Sequence, residues 1–281
     1  MSGQLILIGT PIGNLSDFSP RAREALEQCD FIAAEDTRVS SHLLNHFGIK
    51  KPLVSYFEHN KAERGRQICD RIQSGETAVL VTDAGMPAIS DPGEDLVALC
   101  RKEGITVTCC PGPTAVTTAL ALSGLPTRRF TFEGFLSTDK KERREHLQSL
   151  KDERRTMVFY EAPHKLENTL KDFADTFGDR EIVLARELTK LHEEVVLTTV
   201  LQALSSLTEK QPRGEYVLVL AGAAPAAKEA SPIEQAVTLA QMYIQEGASV
   251  SEAAKRAALD CHLKKSEVYR LLVTEKENGH V

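Results

Sequence analysis

There is no tryptophan among the 281 residues, and aromatic side chains make up only 5% of them. Recognition of a single-stranded nucleic acid by many stacking platforms is therefore not expected. Positive charge is also scarce. Lys and Arg number 34 against 40 Asp and Glu, a net charge of −6. Holding nucleic acid by bulk charge is excluded, so any such contact must use a local patch. No apolar run approaches the length of a membrane span. Met1-Ser2-Gly3-Gln4 carries no positive charge ahead of its short apolar run, so it does not read as a secretion signal. The six cysteines (Cys29, Cys69, Cys100, Cys109, Cys110, Cys261) form no CxxC pair and no ladder of disulfide spacings. Most read as small buried hydrophobes in a protein of the reducing cytoplasm. No His/Cys cluster has zinc spacing, and no metal is expected.

What remains is an ordinary globular balance, 42% hydrophobic and 26% charged, which excludes wholesale disorder. The length fits one large domain or two to three modest ones. Leu5–Ile8, Phe31–Ala34, Leu53–Tyr56, Ala78–Val81 and Thr106–Cys110 are short apolar runs read as buried strands. Helical segments separate them, the first opened by Ser19-Pro20, another carrying Ile68 and Ile72, and one stopped by Gly104. Alternating strands and helices imply parallel βαβ units, with a ligand crevice at the strand C-termini. The Gly/Pro-rich stretches all fall there.

After Gly124-Leu125-Pro126 the chain changes character. An aromatic strand around Phe130–Leu136 precedes a charged helix expected from Asp139 to about Arg155. Strands at Thr156–Tyr160, Ile182–Ala185, Val195–Thr199 and Tyr216–Ala221 suggest a second sheet of mixed direction. The expected organisation is an α/β domain over 1–124, a second over 125–224, and a helical extension over 225–281 joined by the linker Ala223–Ala227. Ser231-Pro232-Ile233-Glu234 has capping-box spacing, and Ser249–Glu252 repeats it. A break at Asp260–Leu263 between two helices resembles a helix-turn-helix.

Gly9-Thr10-Pro11-Ile12-Gly13-Asn14 is neither a GxGxxG fingerprint nor a phosphate-binding P-loop, and alone it reads as a tight turn. Asp83-Ala84-Gly85-Met86-Pro87-Ala88-Ile89-Ser90-Asp91-Pro92-Gly93 holds more Gly, Pro and Asp than a turn needs. Gly85 there lets backbone approach a ligand closely. Pro111-Gly112-Pro113-Thr114 opens a helix whose free N–H groups suit an anionic group. Three such loops on one sheet edge point to a nucleotide-like ligand.

These stretches, with Ala34-Glu35-Asp36-Thr37-Arg38, Phe159-Tyr160-Glu161-Ala162-Pro163-His164-Lys165 and Arg186-Glu187-Leu188-Thr189-Lys190-Leu191-His192-Glu193, resemble the S-adenosylmethionine-dependent tetrapyrrole methylase superfamily. The likeness is to its bacterial small-subunit ribosomal RNA cytidine 2′-O-methyltransferase branch and covers almost the whole chain. Met86 departs from it, where a small Thr is expected. The resemblance implies two α/β domains with S-adenosylmethionine in the cleft between them, a homodimer, and cytidine 1402 of 16S ribosomal RNA, free or in the assembled subunit, as acceptor. It places donor contacts at Ile12, Met86, Ile89, Thr114 and Ala115, and at Tyr160, Ala162, Leu188 and Gly222, with Gly85 close by. Small and apolar walls suit the adenosine, and carbonyl oxygens rather than counter-ions are expected near the sulfonium.

For attack by a ribose hydroxyl, Glu35, Asp36, Asp83 and Glu187 are candidate bases, although each taken alone reads first as a loop-capping or salt-bridged carboxylate. Arg38, Arg186 and Lys190 are candidates for RNA phosphate or ribose, and equally for ion pairs with neighbouring acids. His164 and His192 read as structural. The charged helix after Asp139 fits a solvated face as well as an RNA contact. Lys255, Arg256, Lys264, Lys265 and Arg270 in the C-terminal helices fit RNA binding or packing equally. Two rival readings stay open: a tetrapyrrole methyltransferase of the same fold, and a non-catalytic ribosome-assembly factor.

Overall fold

The computed structural model describes residues 3–207, 212–224 and 231–277. Its chain divides into two compact units, Met1–Ala223 and Ala224–Val281. The first unit holds two five-stranded sheets. The first sheet is built from β1 (Gln4–Ile8), α1 (Pro20–Gln28), β2 (Phe31–Ala34), α2 (Thr37–His46), β3 (Leu53–Ser55), α3 (Lys61–Gln73), β4 (Ala78–Val81), α4 (Glu94–Lys102) and β5 (Thr106–Cys110). Every neighbouring pair is parallel, in the order β3-β2-β4-β1-β5. Helices cover both faces, which is why β2 and β4 are buried at every position and read as unbroken apolar runs. Ala22 and Leu26 of α1 and Leu44 of α2 meet Ile8, Ile32 and Val79 on one face. Ile68 and Ile72 of α3 and Leu96 of α4 meet Leu5, Phe31 and Leu80 on the other. β3 is a residue shorter than the sequence suggests, because Tyr56 turns its ring into that second core.

The helix α5 (Ala115–Leu122) does not return to the first sheet. Its Val116, Ala119 and Leu120 pack on Val158, Val183, Val217 and Val219 of the second sheet. The segment expected as a first domain over 1–124 thus lends its last helix to its neighbour. The edge strand β5 is left partly uncovered, and Cys109 is exposed rather than buried. Cys29, Cys69, Cys100 and Cys110 are buried as expected, Cys261 is half-buried, and all six are free thiols.

The second sheet comprises β6 (Phe130–Phe135), α6 (Lys140–Ser149), β7 (Thr156–Glu161), α7 (Leu166–Phe177), β8 (Glu181–Arg186), β9 (Glu194–Thr199), α8 (Val200–Ser206) and β10 (Tyr216–Leu220), ordered β6-β7-β10-β8-β9. β6 and β7 are parallel, and β10 runs antiparallel to both β7 and β8. Leu147, Phe173 and Val200 from α6 to α8 pack on Phe159 and Leu218 on the face away from α5. The charged helix α6 ends at Ser149, well short of Arg155. Leu150 half-buries itself against the core, and Arg155 folds back onto Glu153 at 2.6 Å, so the chain turns into β7.

The second unit contains α9 (Pro232–Gln245), α10 (Val250–Asp260) and α11 (Lys265–Glu277). The capping box at Ser231 and Glu234 forms, and Ser249 accepts from the Glu252 N–H. Buried Ala253, Ala254, Ala257 and Ala258 let α10 approach α9 and α11 closely, with Val237, Val268 and Leu272 filling the contact. His262, at φ +53°, lies in the break between α10 and α11. Pro225–Ala227 of the expected linker lie outside the described residues.

Candidate active site

The three glycine-bearing loops at the C-terminal edge of the first sheet are knitted together by backbone. Thr10 and Gly85 exchange N–H···O bonds of 2.9 and 3.1 Å, and the Gly9 N–H donates to the Cys110 carbonyl at 3.1 Å. Gly9 and Gly112 touch main chain to main chain, since a Cβ on Gly112 would lie 2.6 Å from the Gly9 carbonyl oxygen. Glycine is required there by close approach rather than by torsion. The Met86 sulfur fills the space beside Gly9, where a Cβ would meet it at 2.7 Å.

A cavity of about 420 Å³ opens between these loops and the second sheet, within the usual range for a small-molecule site. From the first sheet come Ile12 after β1, Glu35 after β2, Asp83, Gly85, Met86, Ile89 and Asp91 after β4, and Thr114 and Ala115 after β5. From the second come Phe135 at the end of β6, Tyr160, Glu161 and Ala162 around the end of β7, Leu188 after β8, and Glu215–Val217 at the start of β10. Tyr160 ties the two halves: its hydroxyl accepts from the Val116 N–H at 3.2 Å and caps α5. That removes one of the free N–H groups expected to serve a ligand. Of the five non-glycine residues with positive φ among those described, Ala88, Ser90, Glu187 and Thr189 lie in the two loops after β4 and β8. Strain of this kind persists where surrounding structure over-determines the chain, and here it lies in loops that wall the cavity.

Every charged side chain in the cavity wall is acidic: Glu35, Asp83, Asp91, Glu161 and Glu215. The wall carries more charge than the small, apolar contacts expected from sequence. Glu35 accepts from the Thr82 hydroxyl at 2.7 Å, and Asp83 accepts from the Asp36 N–H at 3.2 Å. Burial, and then Glu35, push the Asp91 carboxyl up to about 6, with the Thr82 hydroxyl pulling the other way. Asp83 is raised by the same two causes. Such a cavity attracts a cationic ligand and repels phosphate. Among the described residues no cluster of three or more His, Cys, Asp or Glu is placed to hold a metal ion.

Nine of the ten donor positions expected from sequence line the cavity: Ile12, Gly85, Met86, Ile89, Thr114, Ala115, Tyr160, Ala162 and Leu188. Gly222 does not. β10 runs antiparallel to β7, so Tyr216 pairs with Glu161 at the cavity while Gly222 lies beyond the opposite end, against the Arg154 carbonyl. Of the candidate bases, Glu35 and Asp83 face the cavity. Asp36 instead caps α2, and its ion pair with Arg38 at 2.6 Å holds it down near 2. Glu187 is bound by Lys190 at 2.9 Å and by the Glu215 N–H at 3.0 Å, and lies below the usual carboxylate range.

All three basic candidates are ion-paired. Arg38 holds Asp36 yet keeps 87% of its side chain exposed. Arg186 holds Glu194 at 2.9 Å. It shares a strand face with Leu184, on the α7–α8 side, and does not line the cavity. Lys190 bridges Glu187 and Glu215. Sequence reasoning missed Asp91, Glu161 and Phe135 as cavity residues. Asp91 reads locally as the start of an Asp-Pro-Gly turn, and only the fold brings it beside Glu35 and Asp83.

A family model for tetrapyrrole (corrin/porphyrin) methylases matches residues 4–204. A Synechocystis protein named ribosomal RNA small subunit methyltransferase I is 44% identical over 278 residues, 99% of this chain and 100% of that one. A protein of the same name from Thermotoga maritima is 49% identical over 220 residues, covering 78% and 99%. Among solved structures, a Thermus thermophilus uroporphyrin-III C-methyltransferase complexed with S-adenosylhomocysteine superposes with a TM-score of 0.55 at 19% identity, covering 78% of this chain and 97% of that one. With the family model matching residues 4–204, the whole first sheet and four of the five strands of the second, and with near-full-length relatives of one name, this chain belongs to the tetrapyrrole methylase family, in the group of ribosomal RNA small subunit methyltransferase I proteins.

Proposed function

We propose that this chain is an S-adenosylmethionine-dependent methyltransferase whose acceptor is the ribose 2′-hydroxyl of a cytidine in small-subunit ribosomal RNA. Family membership supports the reaction class, the donor and the class of RNA. The observation that carries the reading is the cavity itself, of ligand size and with only carboxylates for charge. That wall suits a donor bearing a sulfonium and an ammonium, and the fit is tested by charge and volume together. Ile12, Met86, Ile89, Ala115 and Leu188 would flank its adenosine, with Gly85 admitting close backbone approach.

When bound, the donor supplies a methyl group already activated on sulfur, so the protein's work is positioning and proton removal. Asp91 is the base we assign. It faces the cavity, and its elevated basicity leaves it ionised at neutral pH and able to take the hydroxyl proton as the C–O bond forms. Glu35 and Asp83 raise that basicity by like-charge repulsion. Asp36 and Glu187 are spent on ion pairs and are not assigned this role.

For the RNA we assign the exposed Arg38 beside the cavity loops, and the second unit as a further contact. Lys255, Lys264, Lys265 and Arg270 form no ion pair among the described residues, while Arg256 reaches Glu252 at 3.6 Å. Exposed Val196 and Leu197 on the edge strand β9, with Leu201 on α8, support association into a homodimer. No described helix is long and apolar enough to cross a membrane. A cytoplasmic location is included in the proposal.

The test is calorimetric titration with S-adenosylmethionine, followed by methyl transfer to undermethylated small ribosomal subunits. Binding and ribose methylation together are expected. Binding with transfer only to a small molecule would overturn the RNA acceptor, and no binding would overturn the methyltransferase reading.

A further inference from the structure

A β-bulge aims one aromatic ring at the cavity. Along β6 the register against β7 shifts between Phe132 and Gly134: Phe132 lies opposite Val158, Gly134 opposite Phe159, and Phe135 opposite Tyr160. In a regular strand, residues three apart point to opposite faces. The extra residue, Glu133, cancels that alternation. Phe132 and Phe135 therefore both meet the Tyr160 ring edge-on, at 5.0 and 5.5 Å between centroids. Gly134 sits at φ +62°, which glycine adopts freely, and a Cβ there would come 2.9 Å from the Ser90 hydroxyl. The bulge is thus seated on the loop that carries Asp91. Bulges beside active sites commonly re-aim a side chain.

The result is unusual for a phenylalanine. Phe135 lines the cavity and yet leaves 60% of its surface exposed. The ring is braced from behind by Tyr160 and free in front. The acidic wall excludes phosphate, so an entering nucleotide must present base and ribose. We infer that Phe135 is a stacking platform for the base of the acceptor nucleotide, holding its ribose toward the carboxylates. This rests on the RNA-acceptor reading above. It also amends the sequence expectation: one aromatic platform serves here, without the many that a single-strand binder needs.

The chain has no tryptophan, so Phe135→Trp keeps an aromatic face and installs the sole indole. Its emission is expected to be quenched by undermethylated small subunits and unmoved by S-adenosylhomocysteine alone. Phe135→Ala is expected to raise the KM for subunits on the order of tenfold or more, with S-adenosylmethionine affinity unchanged. The ring's exposure makes the Ala variant's fold secure, and thermal unfolding checks it. If wild type methylates subunits while Phe135→Ala keeps its KM and the indole stays silent, the platform is refuted and the acceptor reading stands. Lost donor affinity in Phe135→Ala would refute it too, assigning the ring to the donor. A wild type that binds donor but methylates no RNA would refute the acceptor reading and the platform with it.

Discussion

Replacing Asp91 with Asn should separate catalysis from stability in opposite directions. Asn keeps the size and shape of the side chain but cannot accept the acceptor's proton. General-base removal costs about 10²- to 10⁴-fold in kcat. With wild type, kcat/KM, which reports the ligand-free protein, should fall as pH drops through about 6, because protonation of Asp91 removes the base. Phe or Tyr at the mouth would not create that limb, and Asp91→Asn should abolish it. Stability should move the other way. The folded chain raises this acid from 3.8 to about 6, so it favours the neutral form and is penalised when Asp91 ionises. The full difference, about 2.2 pH units, corresponds to about 3 kcal/mol at 1.36 kcal/mol per unit. The carboxyl is only partly buried, and solvent screening cuts that to about 1 kcal/mol. The penalty is present above pH 6, fades as pH falls through 6, and is absent below 3.8. Asp91→Asn should therefore be about 1 kcal/mol more stable than wild type at pH 7.5 and equal to it below pH 4. Denaturant titrations across pH and single-turnover methylation measure both effects. A variant that retains more than a tenth of wild-type kcat, or keeps the limb near 6, refutes Asp91 as the base. A variant less stable at pH 7.5 refutes the electrostatic argument.

Gly85 sits at φ +87°, and an added Cβ would stand 3.5 Å from the Ile12 methyl on the cavity wall. Gly85→Val should leave a folded chain by circular dichroism but lower S-adenosylmethionine affinity at least about tenfold, since a branched side chain both strains the loop and narrows the cavity; unchanged calorimetric binding would remove Gly85 from the donor site. Gly112→Ala should cost about 1–3 kcal/mol in denaturant unfolding, because its Cβ would press on the Gly9 carbonyl at 2.6 Å and force the contacting backbones away from each other; a loss below about 0.5 kcal/mol would mean that the loops yield freely. Truncation after Ala227 should weaken binding to small subunits and flatten its salt dependence while sparing donor affinity. RNA affinity unaffected by the truncation would assign the C-terminal helices to packing.

Local chemistry carried much of this protein in plain view. β2 and β4 are unbroken apolar runs because each is buried on both faces, so composition alone reveals them. Ser19 with Pro20, and Ser231 with Glu234, announce helices because a cap satisfies N–H groups only two or three residues away. The glycines of the three loops were legible as a ligand edge because strand C-termini converge in any parallel sheet. Nine of the ten donor positions, carried over by resemblance, line one cavity.

The remainder depends on contacts between segments far apart in the chain, which no local pattern encodes. Whether a carboxylate is a base or half of an ion pair is set by what faces it. Asp36 and Glu187 met Arg38 and Lys190, whereas Asp91 met Glu35 and Asp83. Arg186 lay on the far face of its sheet, and the antiparallel run of β10 carried Gly222 away from the cavity and brought Tyr216 to it. A single bulge turned Phe135 from one face to the other. Sequence by itself determined most of the elements, the class of fold and the sheet edge at which the cavity opens, since these follow from short-range burial and torsion. Only the tertiary structure decided which charges are neutralised and which side chains share the cavity, since electrostatic energy and packing depend on distances that the fold alone creates.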